Sequence, residues 1–369
     1  MINAVNKNQD LLNEYDNNER LYKSFLGEIE HQVKSLLEIS GVTVNAITSR
    51  FKTRDSLKGK IERKSGKYEA ISDITDIVGI RIITYFSEDV DKVAEIIESE
   101  FDVDVENSID KRESLEPDRF GYCSLHYVVK MNAQRLSLRE CSLYKDLKCE
   151  IQIRSILQHA WAEIEHDIGY KSEITVPREM RRSFSRIAGL LEIADKEFND
   201  IRTSLLEYKI NAQQNIATKE FMDREIDAVI LETLANQDPN IKHLNDHIAE
   251  LMGTELHSIE DFDARSTIQE LKVLNITTVK QLTDVIQKYT SMAYNIASEY
   301  LKDYDPDDNG RAAITIAYFY LCYAILLSDD CKIERIENYL EKCHIGIEVS
   351  KREFAVELYN LAKKLNDKI

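Results

Sequence analysis

The chain has 369 residues, with 48 Lys+Arg against 66 Asp+Glu and a formal net charge of −18. That length exceeds the roughly 250–300 residues at which single cores stop growing, so two domains are expected. A hydrophobic fraction of 43%, with 18 Tyr and 11 Phe, excludes disorder throughout. The acidity argues against a surface given over to nucleic acid or an anionic membrane, because like charges repel at long range.

Eleven Gly and four Pro are few for this length. They supply too few turns for many short strands, so composition favours helix. The excess acid is uneven: 4 basic against 7 acidic residues in 1–40, 25 against 30 in 41–200, and 19 against 29 in 201–369. The six cysteines (123, 141, 149, 322, 331, 343) show no CxxC pair and no His spacing suited to zinc. The N-terminal MINAVNKNQDLLNEYDNNER lacks the apolar core of a signal peptide. The longest apolar run, Ala312 to Leu327, is interrupted by Thr315 and falls short of the roughly 20 residues that span a bilayer, so it reads as a buried helix. A cytoplasmic protein with reduced thiols is expected.

In chain order, residues 8–45 place Leu11, Leu12, Tyr15, Leu21, Phe25, Ile29, Val33, Leu36 and Leu37 at helical spacing and read as two amphipathic helices. A basic stretch from Arg50 to Lys67 follows. The β-branched run Ile77 to Tyr85 reads as a buried strand, Val90 to Phe101 as a helix, and Cys123–Met131 and Leu147–Arg154 as further strands. Pro177 suits a helix start, and Met180–Tyr208 reads as one long helix. Beyond about residue 210 the strand signal disappears. Segments 219–235, 239–252, 265–273, 277–302, 310–328, 332–341 and 350–367 read as helices, with a turn at Asp305–Gly310. The expected organisation is an α+β domain over 1–210, a mixed β-sheet with flanking helices, followed by an all-α domain over 211–369.

Four constellations could carry chemistry. Within 50–67, Arg50, Lys52, Arg54, Lys58, Lys60, Arg63, Lys64 and Lys67 face only Asp55 and Glu62, a local excess of +6. Such a cluster can hold a polyphosphate through charge-assisted hydrogen bonds, or simply form a solvated helix face. Asp76 enters a buried strand ahead of Gly79 and Arg81. A carboxylate there can hold Mg²⁺, or cap a turn. Gly121-Tyr122-Cys123-Ser124-Leu125-His126 joins a permissive backbone to a ring that can stack on a base and an imidazole that can hydrogen-bond. Alternation in Glu150-Ile151-Gln152-Ile153-Arg154 puts Glu150, Gln152 and Arg154 on one strand face, as in a lined cleft or a half-exposed strand. Further on, Trp161, Glu163, His166 and Lys171 cannot all share one narrow helical stripe, and the lone Trp reads as core.

Taken in this order, the segments resemble the synthetase domain of the RelA/SpoT family, the alarmone (ppGpp) synthetases, over residues 45–175. The resemblance rests on Arg50-x-Lys52-xxx-Ser56-xxx-Lys60, Asp73-Ile-Thr-Asp76-Ile-Val-Gly79-Ile-Arg81, Gly121-Tyr-Cys-Ser-Leu-His126, Glu150-Ile-Gln-Ile-Arg154 and His166…Tyr170-Lys171. It implies a nucleotidyltransferase-like mixed sheet and a GTP pyrophosphokinase, moving the β,γ-pyrophosphate of ATP to the 3′-hydroxyl of GDP or GTP. Arg50 and Arg81 would sandwich adenine, and Lys52, Ser56 and Lys60 would hold the ATP phosphates. Asp76 and Glu150 would bind Mg²⁺, with Glu150 also taking the 3′-hydroxyl proton. Tyr122 would stack on the acceptor guanine and His126 contact the acceptor, with Lys111, Arg112 and Arg119 as candidates for its phosphates. Gln152, Arg154, His166 and Lys171 are further candidates. Cys123 stands where many members carry Arg. No His-Asp pair precedes the synthetase segment, which implies a synthetase without its own degrading activity.

Two alternatives stand beside this reading. One is a toxin-like pyrophosphotransferase acting on adenosine nucleotides or the tRNA 3′ end, for which the acidic tail offers no evident basic surface. The other is a non-catalytic nucleotide sensor, which the presence of Asp76 and Glu150 disfavours. The C-terminal helices are expected to form a regulatory or interaction module, binding a partner protein or a second copy.

Overall fold

The apolar stripe at the N-terminus runs on without a break, so a single helix α1 (Ile2–Ile39) replaces the expected pair. The computed structural model describes residues 2–64, 66–110, 124–170, 177–258, 264–302, 304, 312–328, 331–345 and 351–366. These divide into two compact units, Met1–Thr203 and Ser204–Ile369.

In the first unit, β1 (Val44–Phe51) follows α1, a strand that no alternation of residue type announces. The basic stretch is therefore split: Arg50 lies on β1, Lys52 in the connection, and the rest on and after α2 (Arg54–Arg63). Then come β2 (Val78–Thr84), α3 (Glu88–Glu100), β3 (Phe101–Val103), β4 (Ile109–Asp110), β5 (Leu125–Met131), α4 (Ala133–Leu136), β6 (Cys149–Ser155), α5 (Ile156–Tyr170) and α6 (Arg178–Asn215), the last crossing the boundary between the units. β3 and β4 were not anticipated from the sequence.

The sheet runs β1-β2-β6-β5-β3, with β4 pairing β5. β2 and β6 are parallel and the other pairs antiparallel, as expected for a mixed sheet. Residues opposite one another share a face. Arg50–Gly79–Glu150 therefore forms one cross-sheet row and Thr48–Arg81–Gln152–His126 the next row on the same face. The alternate residues Val78, Ile80, Ile82, Ile151 and Ile153 are buried with Phe25, Ile29 and Val33 of α1 and Val93 and Ile97 of α3. One sheet face is thus a core, and the other presents charge.

The second unit comprises α7 (Lys219–Met222), α8 (Ala228–Gln237), α9 (Pro239–Met252), β7 (Leu256–His257), α10 (Arg265–Val273), α11 (Val279–Tyr300), β8 (Ala312–Ala313), α12 (Ile316–Leu326), α13 (Ile333–Lys342) and α14 (Lys351–Asn366). The segment read as one helix over 219–235 is broken into α7 and α8. A two-residue parallel bridge, β7 with β8, interrupts the otherwise helical unit. The Asp305–Gly310 turn lies outside the described residues. α12 is apolar on all sides and nearly all buried, so it forms the centre of this unit's core. Asn245 ties down its start, donating to the Ile314 carbonyl (2.7 Å) and accepting from the Ala317 amide (3.0 Å). Among the described residues no helix is long and apolar enough to cross a membrane.

Candidate active site

The charged sheet face lies over an open cleft lined by Arg50, Lys52, Asp76, Gly79, Arg81, Glu150 and Gln152 among others. A neighbouring open hollow shares Arg50, Lys52 and Asp76 and adds Ser56, Gly59, Lys60, Arg63 and Lys64 together with the acidic Asp55 and Glu62. Residues read separately as a phosphate cradle and a metal-binding carboxylate are therefore brought to one continuous surface.

Backbone ties fix this junction. The buried Tyr15 hydroxyl donates to the Lys52 carbonyl (2.6 Å), and the Lys52 amide donates to the Ile77 carbonyl (2.9 Å). Lys52 is thereby held beside Asp76, 24 positions away in sequence. Thr53 caps α2, its Oγ1 accepting from the Ser56 amide (3.3 Å). Gly79 sits between Arg50 and Glu150 in its row, and a Cβ there would stand 3.3 Å from the Glu150 carbonyl oxygen. The absence of a side chain keeps the cleft floor open.

Two ionic groups face each other across the cleft. Lys52 Nζ lies 2.9 Å from Asp76 Oδ2, and Lys60 Nζ 2.7 Å from Oδ1. Burial alone would raise the Asp76 carboxyl, but Lys60 and Lys52 outweigh it and hold it below the usual carboxylate value. Glu150 Oε1 lies 3.2 Å from His126 Nδ1, and Oε2 accepts from Gln152 Nε2 (3.2 Å). Burial again pushes upward, as does the negative charge of Asp76, yet His126 and Gln152 hold Glu150 low. An ionised Glu150 needs the His126 proton on Nδ1, which leaves Nε2 of this imidazole buried with no protein partner among the described residues. Arg154, in the next row along the same face, is buried and donates to Gln152 Oε1, so it braces that side chain from the side.

Arg81 pairs with Glu163 of α5 (2.9 Å), and His159 stands 3.8 Å from the same carboxylate oxygen. Burial, with the positive charges of Arg154 and Arg81, pushes His159 below its ordinary value against the pull of Glu163. His159, Thr48 and Ser49 were not singled out from the sequence. β1 carried no alternation to reveal the last two, and nothing local marked His159. His166 is an exposed residue of α5 and does not line the cleft. Trp161 is buried as expected, donating to the Phe184 carbonyl (3.3 Å). Lys111, Arg112, Arg119, Tyr122 and Lys171 lie outside the described residues.

Asp76 and Glu150 are both held as carboxylates on one cleft, and Asp76's charge is felt at Glu150. Two hard oxygen donors of this kind, with room beside them for phosphate oxygens, suit Mg²⁺. No group of three or more His, Cys, Asp or Glu that could enclose a metal by itself occurs among the described residues.

A sequence profile for a region found in RelA / SpoT proteins matches residues 49–175. The chain is 31% identical over 165 residues to GTP pyrophosphokinase YjbM of Bacillus subtilis (strain 168), covering 44% of this chain and 74% of that protein. It is 30% identical over 157 residues to GTP pyrophosphokinase YwaC of the same organism, covering 42% and 71%. The crystal structure of small alarmone synthetase 2 from Bacillus subtilis aligns with 52% of this chain and 99% of its own, at 26% identity and a TM-score of 0.44.

Proposed function

The chain belongs to the RelA/SpoT family, and from that premise we propose that it is a GTP pyrophosphokinase making (p)ppGpp. In the proposed reaction the 3′-hydroxyl oxygen of GDP or GTP attacks the β-phosphorus of ATP. The bond from that phosphorus to the α,β-bridging oxygen breaks, AMP leaves, and the hydroxyl proton passes to Glu150. The observation that carries this reading is the Glu150 carboxylate. It is kept ionised despite burial and lines the same cleft as the Lys52–Asp76–Lys60 cluster.

Phosphoryl-type transfer needs positioning and electrostatic stabilisation more than covalent help. Lys52 and Lys60 are the groups to exchange their carboxylate partner for ATP phosphates, with Ser56 beside them. Arg50 and Arg81, in adjacent rows of one sheet face, are the pair to enclose the adenine. His126 and Gln152 orient Glu150, and His126 keeps Nε2 for the acceptor nucleotide. Asp76 and Glu150 are the residues to hold Mg²⁺, which when bound would neutralise phosphate charge. Tyr122, Lys111, Arg112 and Arg119 are assigned to the acceptor, and Arg154, His166 and Lys171 to supporting roles, on family resemblance alone.

We assign residues 1–210 to the synthetase domain and 211–369 to a regulatory or interaction domain, in a cytoplasmic protein that binds no membrane. Labelled ATP offered with Mg²⁺ to GDP, GTP, adenosine nucleotides and tRNA side by side tests the reading. Label is expected on the guanosine nucleotides. Transfer to tRNA or adenosine nucleotides alone, or no transfer at all, contradicts it.

A further inference from the structure

Beyond Phe184 and Ala188, which pack as helix docking ordinarily does, the inward face of α6 within the first unit turns polar. Asp195 and Asn199 are 6% and 7% exposed, whereas Ile193 and Ile201, on the same helix, are both 61% exposed. Hydrogen bonds hold this face down. Asp195 Oδ2 accepts from the Ser155 hydroxyl (2.7 Å), and Asn199 Nδ2 donates to Ser87 Oγ (2.6 Å). Arg202 pairs with the buried Asp89 (2.8 Å) and lies over the Phe86 ring (4.6 Å). These partners stand at or just beyond the ends of β2 and β6, the strands that carry Arg81 and Glu150.

Ser155 is the hinge of the arrangement. It closes β6 and opens α5, and its Oγ accepts the Gln158 amide (3.2 Å) while Gln158 Oε1 accepts the Ser155 amide (2.9 Å). That reciprocal cap satisfies amides at the start of α5. A serine hydroxyl has one proton to give. By taking it, Asp195 turns the oxygen's lone pairs toward Gln158. One turn further along, α5 presents His159, and one turn beyond that Glu163, which grips Arg81 at 2.9 Å.

We propose that Asp195 is a positioning residue for the donor nucleotide: through Ser155 and the cap of α5 it sets Glu163, and through Glu163 the orientation of Arg81. This rests on the assignment of Arg81 to the adenine of ATP. Burial of a carboxyl carries a cost that an apolar residue in the same place would avoid. A directional hydrogen bond is what the carboxyl supplies and the apolar residue does not.

The test compares wild type, Asp195→Ala, Asp195→Asn and Ser155→Ala in the full chain, by equilibrium binding of a non-hydrolysable ATP analogue and by initial rates with ATP and GDP varied in turn. Asp195→Ala is expected to weaken analogue binding about 10-fold and to raise KM for ATP alike, leaving KM for GDP within about twofold. Asp195→Asn keeps an acceptor for Ser155 and should stay within about threefold of wild type on every constant. Ser155→Ala should reproduce Asp195→Ala, and the double variant should cost no more than either single one. Should Asp195→Ala fail to fold, Ser155→Ala carries the same expectation and decides. Unchanged analogue affinity, or KM values for ATP and GDP rising together, overturns the inference. Wild type that binds the analogue yet forms no pyrophosphorylated nucleotide overturns the functional reading instead, and Asp195 is then judged on affinity alone. Wild type that does not bind the analogue overturns both.

Discussion

Replacing Glu150 by Gln removes the proposed base, and with it one carboxylate charge of the proposed Mg²⁺ pair, while the two side chains match in size and Gln can still accept the His126 proton through its amide oxygen. Glu150 is held as the anion by His126 at 3.2 Å and Gln152 at 3.2 Å, so it is ready to take a proton at neutral pH. Gln cannot take one. Loss of a general base costs on the order of 10²–10⁴-fold in rate, about 3 to 5 kcal/mol of barrier. The readout is kcat for conversion of labelled ATP and GDP to product at saturating nucleotide, with KM for ATP measured in parallel. The drop should appear in kcat, since the proton moves only in the transition state. A Glu150→Gln enzyme whose kcat lies within tenfold of wild type would refute the assignment.

Four further outcomes follow from the same contacts. Lys52→Met leaves Asp76 with Lys60 alone and should lower unfolding free energy by about 1–3 kcal/mol, measured by urea titration, while raising KM for ATP. Asp76 is held below its ordinary value by Lys60 and Lys52, so its stabilising contribution is present above the unfolded carboxylate pKa of about 3.9 and is lost as pH falls through the lower folded value. The stability gap between wild type and Asp76→Asn should therefore close in acid, and a gap constant from pH 7 to pH 2 contradicts the pairing. Gly79→Ala presses a methyl to 3.3 Å from the Glu150 carbonyl at the cleft floor, and is expected to cut activity with little loss of helix content by circular dichroism. In the helical unit, Tyr339 donates to the buried Glu270 (2.8 Å), so Tyr339→Phe should cost about 1–3 kcal/mol in thermal unfolding.

The parts of the fold legible in the sequence are those where burial leaves a pattern in residue type, alternating along a half-buried strand or unbroken along a fully buried element. β6 declared itself because Ile151 and Ile153 alternate with Glu150, Gln152 and Arg154, and α12 because its length of apolar residues admits only a core helix. β1 was invisible for the opposite reason. It is an edge strand with little burial on either face, and its Arg50 read as part of a basic run. The apolar positions over 8–45 read as two helices, yet Tyr15, Tyr22 and Phe25 are buried along one continuous helix, α1. At the site, residue types and their order were readable, but their pairings were not. Lys52 meets Asp76 through a backbone bond to Ile77, and Arg81 meets Glu163 across 82 positions. Spacing along a chain does not encode either contact. The Asp195–Ser155 clasp was hidden for the same reason, on a helix whose exposed apolar residues draw attention to its other faces.

The central claim, pyrophosphate transfer to a guanosine nucleotide, is tested most directly by identifying both products of one incubation. Purified protein with Mg²⁺, ATP and GDP should yield AMP and a nucleotide carrying the pyrophosphate on its 3′-oxygen, in equal amounts, with the new linkage assigned by phosphorus NMR. Formation of ADP and phosphate without that nucleotide, or AMP without an equal amount of 3′-pyrophosphorylated product, would contradict it.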